Sequence, residues 1–325
     1  MGSPPKSIVT GVAGFIGSHL AERLLQEGHR VLGIDSFLDS YPRALKEANL
    51  ESLGSHPFFS FFEGNLLELD LEEVLEGADY LFHQAALAGV RTSWGKSFKD
   101  YLDNNVLSTQ CLLEAVRDGI KGIKRIVYAS SSSIYGDLKE LPLKEECQPQ
   151  PHSPYGVTKL AGEHLCQLYH RNYGLPVVSL RYFTVYGPRQ RPDMAFHRFI
   201  CSLLLGTPLR IYGDGEQTRD FTYVSDAVEA NLLALKEGVE GMVFNIGGGS
   251  RISLNDAIKV LERITGRQSR TIYDRPQKGD VRHTFADTSR ARTILGFSPK
   301  IPLEEGLLKE VEWIDTALAS GMIQG

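Results

Sequence analysis

The sequence predicts an α/β fold, in which a doubly wound parallel sheet is followed by a smaller α/β lobe. Through residues 7–182, short apolar runs alternate with longer amphipathic stretches. Strands that alternate with helices form βαβ units, whose parallel sheet is covered on both faces. After residue 184 the alternation loosens, because Gly-Pro, Gly-Thr-Pro and Gly-Asp-Gly interrupt shorter pieces.

The elements of the first half follow from this alternation. Short apolar runs bounded by turn residues are typical of buried strands, and longer amphipathic stretches are typical of helices. In chain order we predict a strand at Ser7–Thr10, a helix at Phe15–Glu27, strands at Arg30–Ile34, Phe58–Glu63 and Tyr80–His83, a helix at Asp100–Arg117, a strand at Arg125–Ser130, a helix at Tyr155–Tyr173 and a strand at Val177–Tyr182.

The second half contains three further helical stretches, at Ser225–Glu237, Leu254–Thr265 and Pro302–Ser320. Ser225 and Ser253 stand where N-cap side chains are expected. We therefore divide the chain into a first domain at 1–184 and a lobe at 185–325. A strand such as Val243–Ile246 can still rejoin the main sheet, so the chain can cross back around residues 225–247.

Composition and charge exclude several kinds of partner. The 325 residues carry a formal net charge of -5 at pH 7, which argues against binding nucleic acid or anionic membranes through bulk charge. There is no apolar run of about 18 residues and no signal-peptide pattern. The four cysteines lack metal-binding or disulfide spacing. We therefore expect a cytoplasmic protein with reduced thiols, a small-molecule ligand and no metal.

A glycine motif follows the first strand in TGVAGFIGSHL, where Gly11, Gly14 and Gly17 are spaced GxxGxxG. A tight turn before a helix N-terminus directs backbone N–H groups at a pyrophosphate, although such glycines also serve as packing devices. Asp35 ends the next strand, where a carboxylate binds a ribose diol and repels a 2′-phosphate. The motif therefore favours NAD over NADP.

Tyr155 and Lys159 form the sharper signal, in PYGVTK, because their i, i+4 spacing puts both on one helix face. An ammonium beside a phenol favours the phenolate, so Tyr155 becomes a usable general base. Such pairs also occur on ordinary helix surfaces. A run of four serines, Ser130 to Ser133, follows a predicted strand at the sheet edge where ligands bind, and supports the catalytic interpretation.

These features together resemble the extended short-chain dehydrogenase/reductase superfamily, in its nucleotide-sugar branch. The resemblance rests on GxxGxxG, Asp35, HQAA, Asn105 in DNNV, the serines before YG, and YxxxK. It continues through GDGEQTRDFTYVSDAV (213–228), FNIGGG (244–249) and KGDVRHTFADTSRA (278–291), and so spans nearly the whole chain. It implies a Rossmann domain that binds NAD and a lobe that binds a nucleotide sugar.

The resemblance also implies roles for individual residues. Ser131 is expected to hydrogen-bond the sugar 4-oxygen, Tyr155 to act as the base, and Lys159 to bind the nicotinamide ribose and lower the Tyr155 pKa. Ser132 and Ser133 stand where decarboxylases and dehydratases commonly carry an acid, which favours plain epimerisation. The candidate NAD-binding residues are Gly11, Gly14, Phe15, Ile16, Gly17, Asp35, Ser36, Asn65, Leu66, Gln84, Ala85, Ala86, Asn105, Tyr155, Lys159 and Tyr182.

Three segments narrow the substrate. FTVYGPRQRPDMAF (183–196), AGVRTSWGKSF (88–98) and IDSFLDSYPRALKEANL (34–50) are similar to UDP-glucuronate 4-epimerases. The resemblance implies that Thr184 and Arg191 receive the sugar carboxylate, which a guanidinium grips bidentately. It assigns the diphosphate to Arg219 and Arg282, and uracil to Tyr212. The candidate substrate-binding residues are Arg91, Ser131, Ser132, Ser133, Thr184, Arg191, Tyr212, Arg219, Asp280 and Arg282.

The implied reaction is reversible C4 epimerisation of UDP-glucuronate to UDP-galacturonate through a 4-keto sugar, with hydride held transiently on NAD. A 4-keto uronate is a β-keto acid that can lose carbon dioxide, so Thr184 and Arg191 are expected to hold the carboxylate out of alignment with the carbonyl. UDP-glucose 4-epimerase, UDP-glucuronate decarboxylase and a non-catalytic NAD sensor remain alternatives. We also expect a homodimer, paired through the helices at 100–117 and 155–173.

Overall fold

The computed structural model describes residues 3–323. Its strands are β1 (Lys6–Thr10), β2 (Arg30–Asp35), β3 (Phe59–Glu63), β4 (Tyr80–His83), β5 (Arg125–Ser131), β6 (Val177–Tyr182), β7 (Val185–Tyr186), β8 (Leu209–Tyr212), β9 (Thr218–Asp220), β10 (Thr222–Tyr223), β11 (Val243–Ile246), β12 (Arg251–Ser253) and β13 (Thr271–Asp274). Its α-helices are α1 (Phe15–Gln26), α2 (Arg43–Ala48), α3 (Glu51–Gly54), α4 (Leu71–Leu75), α5 (Phe98–Leu102), α6 (Ser108–Gly119), α7 (Pro154–Tyr173), α8 (Ala195–Leu205), α9 (Val224–Leu233), α10 (Leu254–Thr265) and α11 (Leu303–Ala319).

Seven strands form the main sheet in the order β11-β6-β5-β4-β1-β2-β3, and every neighbouring pair is parallel. The predicted doubly wound α/β fold is thus confirmed. The strand order reverses at β1, which lies between β4 and β2. The loops that follow β1 and β4 therefore diverge to opposite faces, and a crevice opens between them.

Alternate residues of the central strands face two different hydrophobic clusters. Val9, Val127 and Val178 belong to one cluster, which continues through side chains of α1 and α9 to those of α8, α10 and α11. Their neighbours Ile8 and Ile126 pack on the other face, against α4, α6 and α7. Because successive side chains of a strand point to opposite faces, short apolar runs without polar alternation were the right signal for strands covered on both sides.

The lobe after β6 contains three two-stranded pairings, β7 with β10, β8 with β13 and β9 with β12. β11 lies in the main sheet beside β6, with Val243 opposite Ser179 and Ile246 opposite Tyr182. The chain therefore crosses back from the lobe to the sheet. The division into domains at 1–184 and 185–325 stays a prediction.

Two predicted helix caps have different outcomes. Ser253 caps α10, because its hydroxyl accepts from the Asp256 N–H at 3.1 Å. The expectation for Ser225 is wrong, since α9 begins one residue earlier and Tyr223 occupies the N-cap without a side-chain bond. β10 runs directly into α9, which leaves no separate turn for Ser225 to cap.

Among the helices of residues 3–323, none has the length and apolarity required to cross a bilayer.

Candidate active site

A cavity of about 640 Å³ opens at the carboxyl ends of the main strands, and residues of both the sheet and the lobe line it. Its position coincides with the crevice at the reversal of strand order, where open parallel sheets bind ligands. Every residue predicted to bind cofactor or substrate lines this cavity, with the exceptions of Asn105 and Arg282.

Two glycines of the turn between β1 and α1 have no room for a Cβ. Gly11 has a φ of +72°, and a Cβ there would lie 2.7 Å from the Ala85 backbone nitrogen. A Cβ on Gly17 would lie 2.1 Å from the Gly11 oxygen. α1 begins without a side-chain cap or an acidic residue in its first turn. Its first amides are therefore open to a diphosphate, which the positive end of the helix dipole stabilises.

Asp35 ends β2 beside this turn, and two backbone amides orient its carboxylate. Ala13 N–H donates to Oδ2 at 3.0 Å, and Phe37 N–H donates to Oδ1 at 2.8 Å. Burial raises the pKa of this carboxyl, although the amide bonds oppose the shift. Each carboxylate oxygen has a further acceptor site, so Asp35 can also bind the hydroxyls of a ribose. The turn and Asp35 together fit NAD.

Two adjacent serines at the end of β5 differ in what their hydroxyl groups do. Ser130 is buried, and its hydroxyl donates to Glu163 at 2.6 Å. The Ser131 oxygen accepts from the Ser133 N–H at 3.1 Å, which leaves the Ser131 proton free for donation. Ser131, at the cavity wall, is therefore the serine of this pair that is suited to hydrogen-bond a ligand oxygen.

Tyr155 lies in the first turn of α7, which Ser153 caps through the Gly156 N–H at 3.1 Å. Burial raises the pKa of Tyr155, and the nearby Ser131 hydroxyl and the Arg191 charge oppose this shift only in part. Among the described residues burial outweighs these two neighbours, and the expectation that Lys159 lowers the phenol pKa when the cofactor is bound stays a prediction. The phenol is thus positioned beside Ser131 but still favours its protonated form.

Lys159 is buried one turn after Tyr155, with its ammonium 4.5 Å from the centroid of the Tyr128 ring. Burial lowers the pKa of Lys159 to about 8, and the Glu163 carboxylate one turn further along α7 opposes this change. Lys159 therefore remains mostly protonated at pH 7. Its positive charge is available at the cavity wall, close to the phenol that it was predicted to assist.

Asn105 does not reach the cavity, so the structure corrects its prediction as a cofactor ligand. Its buried side chain donates to the Leu87 oxygen at 2.9 Å and to Thr158 at 3.0 Å, and accepts from the Leu87 N–H at 2.7 Å. Asn105 thus holds the loop after β4 to the helices. It lies in a π-helical turn at residues 103–107, and its neighbour Asn104 lines the cavity instead.

Arg191 follows β7 and lines the cavity with Thr184. Its guanidinium binds Asp193 through two bonds of 2.9 Å each, from Nε and from one terminal nitrogen. The loop from β7 to Arg191 turns sharply at Gly187, which has a φ of +134°. The Gly187 N–H donates to the buried Glu310 carboxyl at 3.0 Å. This anchor directs the chain so that Arg191 faces the same cavity as Tyr155.

Arg282 is the second predicted residue outside the cavity. Its exposed guanidinium binds Asp214 at 2.7 and 2.9 Å, so the assignment of Arg282 to the diphosphate has no support from the position of this side chain and stays a prediction. Arg219 does line the cavity, but it donates to the backbone oxygens of Thr218, Val281 and Arg282.

Arg198 on α8 is a cavity residue that the sequence interpretation missed. Its guanidinium carbon lies 5.5 Å from the centroid of the Tyr212 ring. The other four cavity arginines have partners: Arg91 binds Asp280, Arg191 binds Asp193, Arg210 binds Asp274, and Arg219 binds backbone oxygens. In residues 3–323, no acceptor binds the Arg198 guanidinium. Arg198 is therefore suited to an anionic ligand.

Tyr41 and Lys46 were missed as well, although the segment that contains them was recognised as similar to known enzymes. Both line the cavity beside Asp35. The Lys46 ammonium contacts the Ser40 hydroxyl at 3.3 Å and the Leu38 oxygen. The Tyr41 hydroxyl is buried without a hydrogen-bond partner among the described residues. A Tyr and a Lys soon after a cofactor-binding strand end were the signal that could have identified them.

Comparison with known proteins agrees with this geometry. The model of the epimerase family, described as the NAD dependent epimerase/dehydratase family, matches residues 7–247. A solved UDP-glucuronic acid 4-epimerase of Bacillus cereus, in complex with UDP-glucuronic acid and NAD, is 47% identical with a TM-score of 0.93. The match covers 96% of this chain and 99% of that structure.

Two curated relatives are similar over nearly their full lengths. The UDP-glucuronate 4-epimerase of Thermodesulfobacterium geofontis is 41% identical over 312 residues, which cover 94% of this chain and 95% of the relative. An uncharacterized UDP-glucose epimerase of Bacillus subtilis, YtcB, is 46% identical over 313 residues, or 96% of this chain and 98% of the relative. The first relative is named for UDP-glucuronate and the second for UDP-glucose.

Proposed function

Because the chain belongs to the NAD dependent epimerase/dehydratase family, we propose that it is a UDP-glucuronate 4-epimerase, which interconverts UDP-glucuronate and UDP-galacturonate. The observation that carries the choice of sugar is Arg191, whose guanidinium lines the same cavity as Tyr155 and Ser131. A guanidinium at this point matches a sugar carboxylate, whereas a neutral hydroxymethyl group gives it no charge to bind.

NAD would be held by the glycine turn, by Asp35 and by the other cofactor candidates that line the cavity. When bound there, it supplies a reversible hydride acceptor for C4 of the sugar, so the reaction has no net redox change. We assign NAD to residues 1–184 and the nucleotide sugar mainly to residues 185–325.

Ser131, Tyr155 and Lys159 are assigned to the transfer of the proton at the sugar 4-oxygen. Ser131 donates a hydrogen bond to that oxygen, and Tyr155 takes the hydroxyl proton as C4 is oxidised, then returns it when the 4-keto sugar is reduced on its other face. Lys159 stabilises the phenolate form. Burial raises the Tyr155 pKa, so a positive charge close to the phenol is needed to favour the phenolate.

The nucleotide end of the substrate is assigned to the aromatic and cationic residues around Tyr212. Uracil packs against Tyr212, and the diphosphate is bound by Arg198 with help from Arg219 and from the Arg91 to Asp280 pair. Arg198 replaces Arg282 in this assignment, because Arg282 binds Asp214 outside the cavity.

The substrate assignment is tested by incubating the purified protein separately with UDP-glucuronate and UDP-glucose and resolving the sugars formed. We expect UDP-galacturonate from the first, and little or no UDP-galactose from the second. Tyr155→Phe should lower the turnover number by a factor on the order of 100 or more while UDP binding is retained. Preferential conversion of UDP-glucose would instead favour a UDP-glucose 4-epimerase, the activity named for the Bacillus subtilis relative.

We also infer that two copies of the chain pair through α6 and α7. Four apolar side chains on α7 and on the helical stretch from α5 to α6 are 39% to 47% exposed: Leu102, Leu107, Val157 and Leu168. α7 packs against α5, against the π-helical turn at 103–107 and against α6, so these side chains lie on adjacent helical segments. A second copy would bury them in a four-helix bundle.

The four free cysteines support a reducing, cytoplasmic location.

A further inference from the structure

The Arg191 to Asp193 pair lies inside the cavity and leaves one edge of the guanidinium free. Asp193 binds the side edge, through Nε and one terminal nitrogen, at 2.9 Å each. No residue of the described chain accepts a hydrogen bond from the other terminal nitrogen of Arg191. A guanidinium has five N–H donors in one plane, so its end edge can still bind a second carboxylate.

We infer that Asp193 is a positioning residue that fixes the plane of the Arg191 guanidinium for the substrate carboxylate. This inference rests on the proposed function. Without Asp193, the guanidinium could rotate about its last bonds, and a bound carboxylate would rotate with it. Asp193 is 56% exposed and Arg191 22% exposed as side chains, and pairs at such exposure add little to stability. The orientation of Arg191 is thus the main effect expected of the pair.

Orientation matters because of the 4-keto stage of the reaction. When the C5–C6 bond aligns with the C4 carbonyl π system, its electron pair moves into an enolate across C5, C4 and O4, and carbon dioxide leaves. Solvent then protonates C5, and a UDP-4-keto-pentose remains. A guanidinium held in one plane keeps the carboxylate carbon away from this alignment, whereas a freely turning one does not.

The charge of Asp193 leads to a distinguishing expectation for affinity. Asp193 is an anion next to the site of another anion, so its removal takes away a repulsion. Asp193→Ala should therefore bind UDP-glucuronate as tightly as the unmodified protein, or more tightly. It should release pentose products at a higher fraction of turnovers, by about fivefold or more. Arg191→Met, which removes the charge itself, should bind the uronate at least tenfold more weakly.

The experiment measures two quantities in the NAD-loaded protein: the ratio of pentose to UDP-galacturonate formed from UDP-glucuronate, and the dissociation constant of UDP-glucuronate by titration calorimetry. Asp193→Asn, which retains one acceptor for Arg191, should give an intermediate ratio. Asp214→Ala is the matched control, because Asp214 forms a similar two-bond pair with Arg282 outside the cavity. Its ratio should equal that of the unmodified protein.

An unchanged product ratio in Asp193→Ala would overturn the inference, as would an equal rise in Asp214→Ala or a tenfold loss of uronate affinity in Asp193→Ala. The ratio is independent of the amount of folded enzyme, so a purely structural effect does not imitate the expected result. An unmodified protein that fails to epimerise UDP-glucuronate would contradict the proposed function itself, which is a separate outcome.

Discussion

Arg198 and Arg210 both line the cavity, but their guanidinium groups have different surroundings. Arg210 donates to Asp274 at 3.2 Å, whereas Arg198 has no acceptor among the described residues. A guanidinium binds phosphate oxygens strongly when no protein carboxylate already neutralises it. The position of Arg198 near Tyr212, where uracil is assigned, thus distinguishes two arginines that the sequence alone makes equivalent.

Arg198→Met should therefore weaken the binding of UDP by about tenfold or more, since hydrogen bonds to charged groups contribute roughly 1.5 to 3 kcal/mol each. Arg210→Met, which makes the same substitution and removes the same charge, should change UDP affinity by less than about threefold. Titration calorimetry with UDP measures both, and NAD affinity provides a check on folding. Equal UDP affinities for the two variants would contradict the assignment of Arg198.

The turn between β1 and α1 shows how an element sets the cofactor site. A Cβ on Gly17 would approach the Gly11 oxygen to 2.1 Å, which is closer than any real contact of this kind. The contact is with backbone, so α1 itself would have to move away from β1. Such a movement would displace the helix amides that face the diphosphate.

Gly17→Ala should therefore reduce NAD affinity by about tenfold or more. Gly54→Ala is the control, since a Cβ at Gly54 meets nothing within 4 Å. The NAD content of the purified proteins and the dissociation constant for NAD are the measurements. Retention of full NAD affinity by Gly17→Ala would mean that the turn can relax, and would remove the steric argument for this motif.

The sequence predicted α10 to the residue and α7 to within one residue, because both carry a capping serine before a long amphipathic stretch. It missed α8, whose N-cap Met194 makes no side-chain bond and therefore leaves no local signal. Arg198 was missed with it. Asn105 was assigned from the resemblance of DNNV to the family, which does not determine which of the two asparagines faces the cavity. In the structure both lie in a π-helical turn, and Asn104 lines the cavity.

At the scale of the whole molecule, the sheet was predictable and the lobe was less so. The βαβ rhythm determines which strands are parallel and where the crevice opens. The pairings β8 with β13 and β9 with β12 join segments that are far apart in the chain, and nothing local specifies their register. The position of Arg282 outside the cavity was unpredictable for the same reason, because its partner Asp214 lies 68 residues earlier in the chain.

The proposed dimer predicts that one charge on α7 separates the copies. Leu168 is 46% exposed, and a carboxylate there would be buried without a partner in a four-helix bundle, so Leu168→Asp should be monomeric at micromolar concentration. Phe62→Asp is the matched control, because Phe62 is 41% exposed on the edge strand β3 and should leave the dimer intact. Sedimentation velocity measures both. A monomeric unmodified protein, or a dimeric Leu168→Asp, would contradict the pairing through α6 and α7. UDP affinity should be unchanged in both variants, since neither residue lines the cavity.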